Sequence, residues 1–145
     1  MDIMQSLQTA SGDGGNGQLG IGSTYNPGVF SGSMGDNLVA VDLGADFVPV
    51  SMSLGYTHGC FVSLSGEMKC FGRNRYGALG YEDAENRGDE SGEMGDDLPV
   101  LDLGTNFNVS AVSCGRITGY HCCAADRNSN GKWKCWGYGH KHIFT

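Results

Sequence analysis

Basic residues are scarce in this chain of 145: nine Lys and Arg stand against sixteen Asp and Glu, a formal net charge of −7. None precedes Lys69. An acidic chain repels nucleic acid backbones and anionic membrane surfaces, so neither is an expected partner. Proline is limited to three residues and no Gly-X-Y period runs through the glycines, which excludes a collagen-like helix. No apolar run reaches the roughly eighteen residues of a membrane-spanning helix. The N-terminal stretch MDIMQSLQTASG has neither a basic n-region nor an apolar h-region. A nucleophile elbow, a Walker loop, paired catalytic carboxylates and HExxH are all missing. GDGGNGQLGIG (12–22) is glycine-rich, but no helical pattern follows it, so phosphate cradling has no support.

What is present points to strands. Glycine reaches 25 residues and apolar residues 39%, too apolar for plain disorder. Short apolar runs between glycine turns predict an all-β protein. Residues 82–102 carry nine acids and only Arg87, whereas from Arg116 onward five basic residues face Asp126 alone. Such runs belong to solvated loops.

The chain repeats itself. GSMGDNLVAVDLG (32–44) and GEMGDDLPVLDLG (92–104) agree at eight of thirteen positions. GQLG (17–20) answers GALG (77–80), and Gly55 answers Gly115, all at an offset of 60. The offset grows to 63 at His58/His121 and Cys60/Cys123, then to 65 at Cys70/Cys135 and Gly72/Gly137. Preserved matches with stepwise growth are the mark of loop insertions in a repeated unit. The expected organisation is an unassigned segment 1–11, unit one over 12–72, unit two over 73–137, and a third start or tail over 138–145. VPVSMSLG (48–55) and NVSAVSCG (108–115) read as strands closed by glycine. CFVSL (60–64) and EMKCFG (67–72) read as a hairpin. Facing Cys60 with Cys70 pairs 61/69, 62/68 and 63/67, and leaves Leu64-Ser65-Gly66 as a three-residue loop with glycine last. The stretches 20–37 and 80–97 read as loops.

The order G-x-L-G, long loop, strand ending in glycine, x-x-His, Cys-hairpin-Cys, aromatic-Gly, then R-N-x-x-G-x-L-G resembles the regulator of chromosome condensation repeat. CFGRNRYGALG (70–80) carries it most strongly, with CWGYG (135–139) and NGQLGIG (16–22) in support. The resemblance spans roughly residues 12–139. It implies a β-propeller, whose blades in that family are four-stranded sheets. The cysteine-bearing form resembles versions found in extracellular proteins. This chain has about two units, and its first opens with ASGDGG (10–15) in place of Cys-aromatic-Gly. The nucleotide-exchange activity and chromatin binding of the nuclear member have no residue-by-residue counterpart here, so neither is carried over.

Cys60 and Cys70, like Cys123 and Cys135, hold matching positions on two hairpins. Opposed antiparallel positions lie about 4.5–5.5 Å apart at Cα, within disulfide reach. Each bond would contribute roughly 2–3 kcal/mol. Cys114 and Cys122 remain, to pair with each other or with another chain. With His121 they would also offer a zinc ion soft ligands, though not as the usual CxxC pair, and no metal is expected. His58 and His121 precede the hairpin cysteines by two residues in both units, which suggests one repeated internal hydrogen bond. Asp126, Asn128 and Asn130, followed by Gly131, match the front of a calcium loop, but its twelfth position falls on Gly137 rather than Glu. Arg87-Gly88-Asp89 is an integrin-type tripeptide by sequence alone. Asn108-Val109-Ser110 is a glycosylation sequon. His140 and His142 read as an exposed end.

These features predict a non-enzymatic, extracellular protein-binding or scaffold module without a cofactor. Its contact surface is expected in the loop carrying Tyr81, Glu82, Asp83, Glu85, Arg87, Asp89, Glu90 and Glu93. The alternative is a structural subunit that completes blades between chains, in a ring or filament. A secreted enzyme is the third and least supported reading. The expected partner is another protein or further copies of the chain, which would then be an oligomer or part of a longer protein.

Overall fold

The fold is that of a computed structural model, which describes residues 10–116, 119–128 and 131–138. Six strands form two antiparallel sheets: β1 (Pro49–Leu54), β2 (His58–Ser63) and β3 (Met68–Gly72), then β4 (Val109–Cys114), β5 (His121–Asp126) and β6 (Trp133–Gly137). The strand order is sequential in each sheet. Three single-turn 3-10 helices complete the described secondary structure, at Gly35–Asn37, Arg75–Gly77 and Gly95–Asp97. The resemblance implies four strands per blade, and each sheet has three. Beyond β3, Gly72 makes an isolated bridge to Arg87.

The hairpin register is the one the cysteine spacing predicts: Cys60 faces Cys70, Phe61 faces Lys69 and Val62 faces Met68. Gly66 closes the loop in a left-handed conformation (φ 86°), where a side chain would be strained. Both sheets break register at the same place, between Pro49 and Ser51 and between Val109 and Ala111. The two units therefore share a bulge that the sequence pattern did not expose.

Alternation along the strands sorts side chains onto two faces. Cys60, Val62, Met68 and Cys70 of the first sheet pack on Val109, Cys114, Cys122 and Ala124 of the second, with Leu79 and Leu101 filling in. The opposite face of the first sheet sends Phe61 and Phe71 into a second cluster with Leu43, Phe47 and Leu98. Each fully buried Val, Leu or Met there contributes about 1.5–3 kcal/mol, so face-to-face stacking of the sheets is a substantial stabilising contact.

The repeated phrase is the clasp between the units. In each copy Met34 or Met94 leads into a 3-10 turn, and the Asp of the Asp-Leu-Gly tail caps the glycine after it. Asp42 Oδ1 accepts from Gly44 N–H (2.9 Å) and Asp102 Oδ1 from Gly104 N–H (2.8 Å). The tail of copy one then docks on the head of copy two. Gly95 N–H donates to the Asp42 carbonyl (3.0 Å), and Ala45 N–H donates to Asp96 Oδ1 (3.0 Å).

Candidate functional site: a tyrosine platform

The stretches leading into β2 and β5 and those leaving β3 and β6 gather four tyrosines. Tyr56 and Tyr120 stand just before β2 and β5, Tyr138 follows β6, and Tyr76 sits in the 3-10 turn beyond β3. Tyr76 packs against Tyr138 at a tilt of 32°, 4.5 Å between ring centroids, and meets Tyr120 edge-on at 5.6 Å. Tyr56 meets Tyr120 edge-on at 6.2 Å. The Arg75 guanidinium lies 4.8 Å from the Tyr76 ring centroid. Tyr138 N–H donates to the Tyr120 carbonyl, which fixes the end of β6 against the start of β5.

Packing and exposure are at odds here. Tyr56, Tyr76 and Tyr138 remain 60%, 48% and 40% exposed. Tyr76 also holds a left-handed backbone (φ 62°), uncommon for a residue with a side chain and concentrated at functional positions. Exposed, mutually ordered Tyr and Arg are the residue types that dominate protein interfaces, because they bury large area at little entropic cost. An open cleft of about 540 Å³ adjoins the platform at Tyr76 and is walled by Glu82, Asp102, Lys134 and Trp136. Lys134 Nζ donates to the Leu103 carbonyl and lies over the Phe107 ring. The cleft offers charge of both signs beside an aromatic wall, and no nucleophile paired with a base among the described residues lining it.

The acidic loop is more tied down than its composition suggests. Tyr81 is turned inward, its hydroxyl bonded to Cys70 N–H (3.0 Å), the Cys70 carbonyl (3.0 Å) and the Pro99 carbonyl (2.9 Å). Burial raises its pKa well above the ordinary phenol range. Glu93 Oε2 accepts from Gly88, Asp89 and Glu90 N–H. Arg87 pairs with Asp83 (2.7 Å), donates to the Glu85 and Asn86 carbonyls and lies over the Tyr81 ring. Its guanidinium is thus engaged within the loop rather than presented beside Asp89. Of the loop residues expected to make contact, Glu82, Asp83, Glu85 and Glu90 are the exposed acids.

Three disulfides join all six cysteines: Cys60–Cys70, Cys114–Cys122 and Cys123–Cys135. The histidine beside the second pair is His58 from the other sheet, with Nε2 3.1 Å from Cys122 Sγ. Burial, and then the neighbouring His121, lower the His58 pKa to about 4. The feature His58 and His121 share is a ring seated on the glycine that ends the preceding strand, Gly55 or Gly115.

Asn108 is half-buried, its amide donating to the Ser65 carbonyl (3.0 Å). Asp126 is buried, and its Oδ1 accepts from Asn108 and Asn128 N–H. Asn130, His140 and His142 lie outside the described residues. The sequence reading missed Lys69, a buried amine that donates to the Leu43 and Gly95 carbonyls. Burial lowers its pKa against the opposing pull of Asp96, Asp42 and Glu67. Its counterpart Lys134, 65 residues on, was the available signal.

Comparison with known proteins agrees with this architecture. Residues 50–78 match the family model for the Regulator of chromosome condensation (RCC1) repeat. No curated protein matches the chain. Human WBSCR16 is structurally similar, with a TM-score of 0.59 and 19% identity over 90% of this chain and 28% of that one. Prp20p from Saccharomyces cerevisiae, described with its binding properties to Gsp1p and histones, gives 0.54 and 20% over 86% of this chain and 27% of that one. The structure of Kap60 bound to yeast RCC1 (Prp20) gives 0.55 and 20% over 90% and 27%. The chain therefore spans less than a third of the length of these neighbours.

Proposed function

We propose that this chain, built on the repeat it shares with those propellers, is a non-enzymatic protein-binding module whose contact surface is the tyrosine platform. The carrying observation is the set of mutually packed rings of Tyr56, Tyr76, Tyr120 and Tyr138, exposed at Tyr56, Tyr76 and Tyr138 and half-buried at Tyr120, with Arg75 beside them. The solved neighbours described with protein partners, Gsp1p and histones for Prp20p and Kap60 for yeast RCC1, support binding as the general role of the scaffold. The target does not follow from the fold. Three disulfides support an oxidising, extracellular setting. A photo-crosslinking residue placed at Tyr76, with a control at exposed Asp46, tests the surface in material from the native source. The expected result is one protein captured from position 76 and lost when Arg75 and Tyr56 are replaced by Ser. Equal capture from both positions would refute the assignment.

A second reading, a subunit that completes blades between chains, is favoured by the clasp. Met94 of the second copy packs into a core cluster, whereas Met34 of the first is half exposed beside Val29 (68%) and Phe30 (60%). Head and tail are complementary because the chain already joins one such pair internally, so a head-to-tail contact is geometrically available. Sedimentation velocity across a concentration series tests it, with a growing assembly expected and a concentration-independent monomer refuting it.

A further inference from the structure

The sulfur-rich centre between the two sheets carries more than two structural bonds. His58, Cys114 and Cys122 are buried together, and their ligand atoms all lie within 4.8 Å of one another. Cys60 lies outside that group, but its Sγ is 3.7 Å from Cys122 Sγ. In a tetrahedral zinc site with Zn–S near 2.3 Å and Zn–N near 2.05 Å, sulfur–sulfur edges are about 3.8 Å and sulfur–nitrogen edges about 3.6 Å. The observed 3.7 Å between Cys60 and Cys122 matches the first, and the 3.1 Å from His58 Nε2 to Cys122 Sγ is within about half an ångström of the second; the Cys114–Cys122 edge is the disulfide bond itself and opens only on reduction. The His58 Nδ1 atom is buried without a partner, so Nε2 makes the ring's polar contact. The atom it faces is a disulfide sulfur, a weak acceptor, and the ring's bonding capacity is largely unused.

We propose that the reduced chain holds one zinc(II) ion between the blades, ligated by His58 Nε2 and the thiolates of Cys60, Cys114 and Cys122. Disulfide and metal are then alternative occupants of the same sulfurs. A dithiol reductant makes the exchange: its thiolate attacks Cys114 Sγ, the less buried sulfur of the pair, and Cys122 leaves as thiolate. The reductant's second thiolate displaces Cys114, closing the reductant's own disulfide. Two electrons pass from reductant to chain, and its two thiol protons go to the two cysteines. The same exchange at Cys60–Cys70 frees Cys60 and leaves Cys70 as a thiol. Zinc then binds and displaces the three thiol protons of its ligands.

Such a site ties β2 of one sheet to β4 and β5 of the other, across the contact that stabilises the stack. It would let a chain kept reduced preserve the inter-blade core that disulfides secure in an oxidising compartment. It also crosses units: the zinc set legible in the sequence took His121, whereas the histidine in reach is His58.

The test is cobalt(II) titration of the whole chain after reduction and removal of reductant under inert gas, followed by zinc(II) competition. The expected result is one equivalent bound, with sulfur-to-metal charge-transfer bands, the intense visible bands of a tetrahedral thiolate site, and their loss on adding zinc. His58→Asn and Cys122→Ser should abolish the tetrahedral bands, while His121→Asn and the paired Cys123→Ser, Cys135→Ser variant should keep them. The oxidised chain should show none. Because His58→Asn could fail to fold, cadmium NMR of the loaded wild type gives an independent reading, with coupling to the His58 ring nitrogen expected. Absence of tetrahedral bands in the reduced wild type, bands that survive in folded His58→Asn, or absence of that coupling would each overturn the proposal.

Discussion

Gly35 and Gly95 occupy the same position in the two copies of the repeated phrase, with nearly the same left-handed backbone (φ 66° and 71°). They differ in what surrounds them. An added Cβ at Gly35 would meet nothing within 4 Å, whereas at Gly95 it would meet Asp42 Oδ2 at 2.7 Å and Cγ at 3.1 Å. Alanine at either site pays the left-handed conformation, about 1 kcal/mol, partly offset by the stiffer unfolded chain. At Gly95 the Asp42 carboxylate must also move, and it is pinned by its bond from Gly44 N–H. Losing that bond, and loosening the one from Gly95 N–H to the Asp42 carbonyl, adds about 1–2 kcal/mol. Gly95→Ala should therefore destabilise by about 2–3 kcal/mol and Gly35→Ala by about 1. Urea unfolding of the two variants under identical conditions measures the difference, and a thermal melt should separate them by roughly 3–6 °C. Equal destabilisation, or a larger loss at Gly35, would show that the tail of copy one does not clasp the head of copy two.

Leu79, fully buried between the sheets, should cost about 2–5 kcal/mol as alanine; a loss under 1 kcal/mol in urea would contradict the shared core. Asn74 is buried and holds Asp83 and the Leu79 amide, so Asn74→Ala should cost about 2–3 kcal/mol and speed proteolysis within 81–90, and unchanged cleavage there would refute its tethering role. Tyr81→Phe removes the hydroxyl that serves Cys70 and Pro99 and should cost about 1–3 kcal/mol. Since burial raises the Tyr81 pKa, its contribution is complete below the ordinary tyrosine range and fades as pH climbs above it, so wild type should lose more stability there than the Phe variant. Calcium should leave the melting temperature unchanged, because Asp126 already serves two backbone amides; a saturable rise lost in Asp126→Ala would reverse that expectation.

Local and repeated features were legible in the chain; contacts between units were not. The pairing of Cys60 with Cys70 and the Gly66 turn follow from period-two spacing about a glycine, which acts over a few residues. The echo at 32–44 and 92–104 was visible as identity but not as a clasp. Its meaning lies in the Asp42 carbonyl meeting Gly95 N–H and Asp96 meeting Ala45 N–H, each across more than 50 residues of chain, and nothing in either copy names its partner. Tyr81 counted as loop surface because its neighbours are acidic, yet its hydroxyl reaches back to β3. The platform escaped notice because its tyrosines lie 20, 44 and 18 residues apart; the one available signal was that Tyr56 and Tyr120 each stand between a glycine and the repeated histidine. His58 reached Cys122 for the same reason: the sheets' stacking, not the spacing within a unit, brings them together.

The two units keep one backbone frame while their loop surfaces diverge, and this separates scaffold from contact residues. Gly14 N–H donates to Asn26 Oδ1 (2.7 Å) as Asn74 N–H donates to Asn86 Oδ1 (3.0 Å), at the repeat offset of 60. Leu19 and Leu79 are both buried. Between these fixed points Tyr25, Val29 and Phe30 of the first loop stand where Glu85, Asp89 and Glu90 stand in the second. The second loop lies against the first unit, with the Arg87 carbonyl and Asp89 amide close to Gly17; the apolar first loop is exposed at all three positions. The platform is different in kind. Tyr56 comes from the first unit, Tyr76 and Tyr120 from the second, and Tyr138 from the residue that follows β6, so its four rings meet only when the sheets have stacked. The same buried contact that stabilises the chain therefore assembles its exposed aromatic surface, and neither repeat alone would present it.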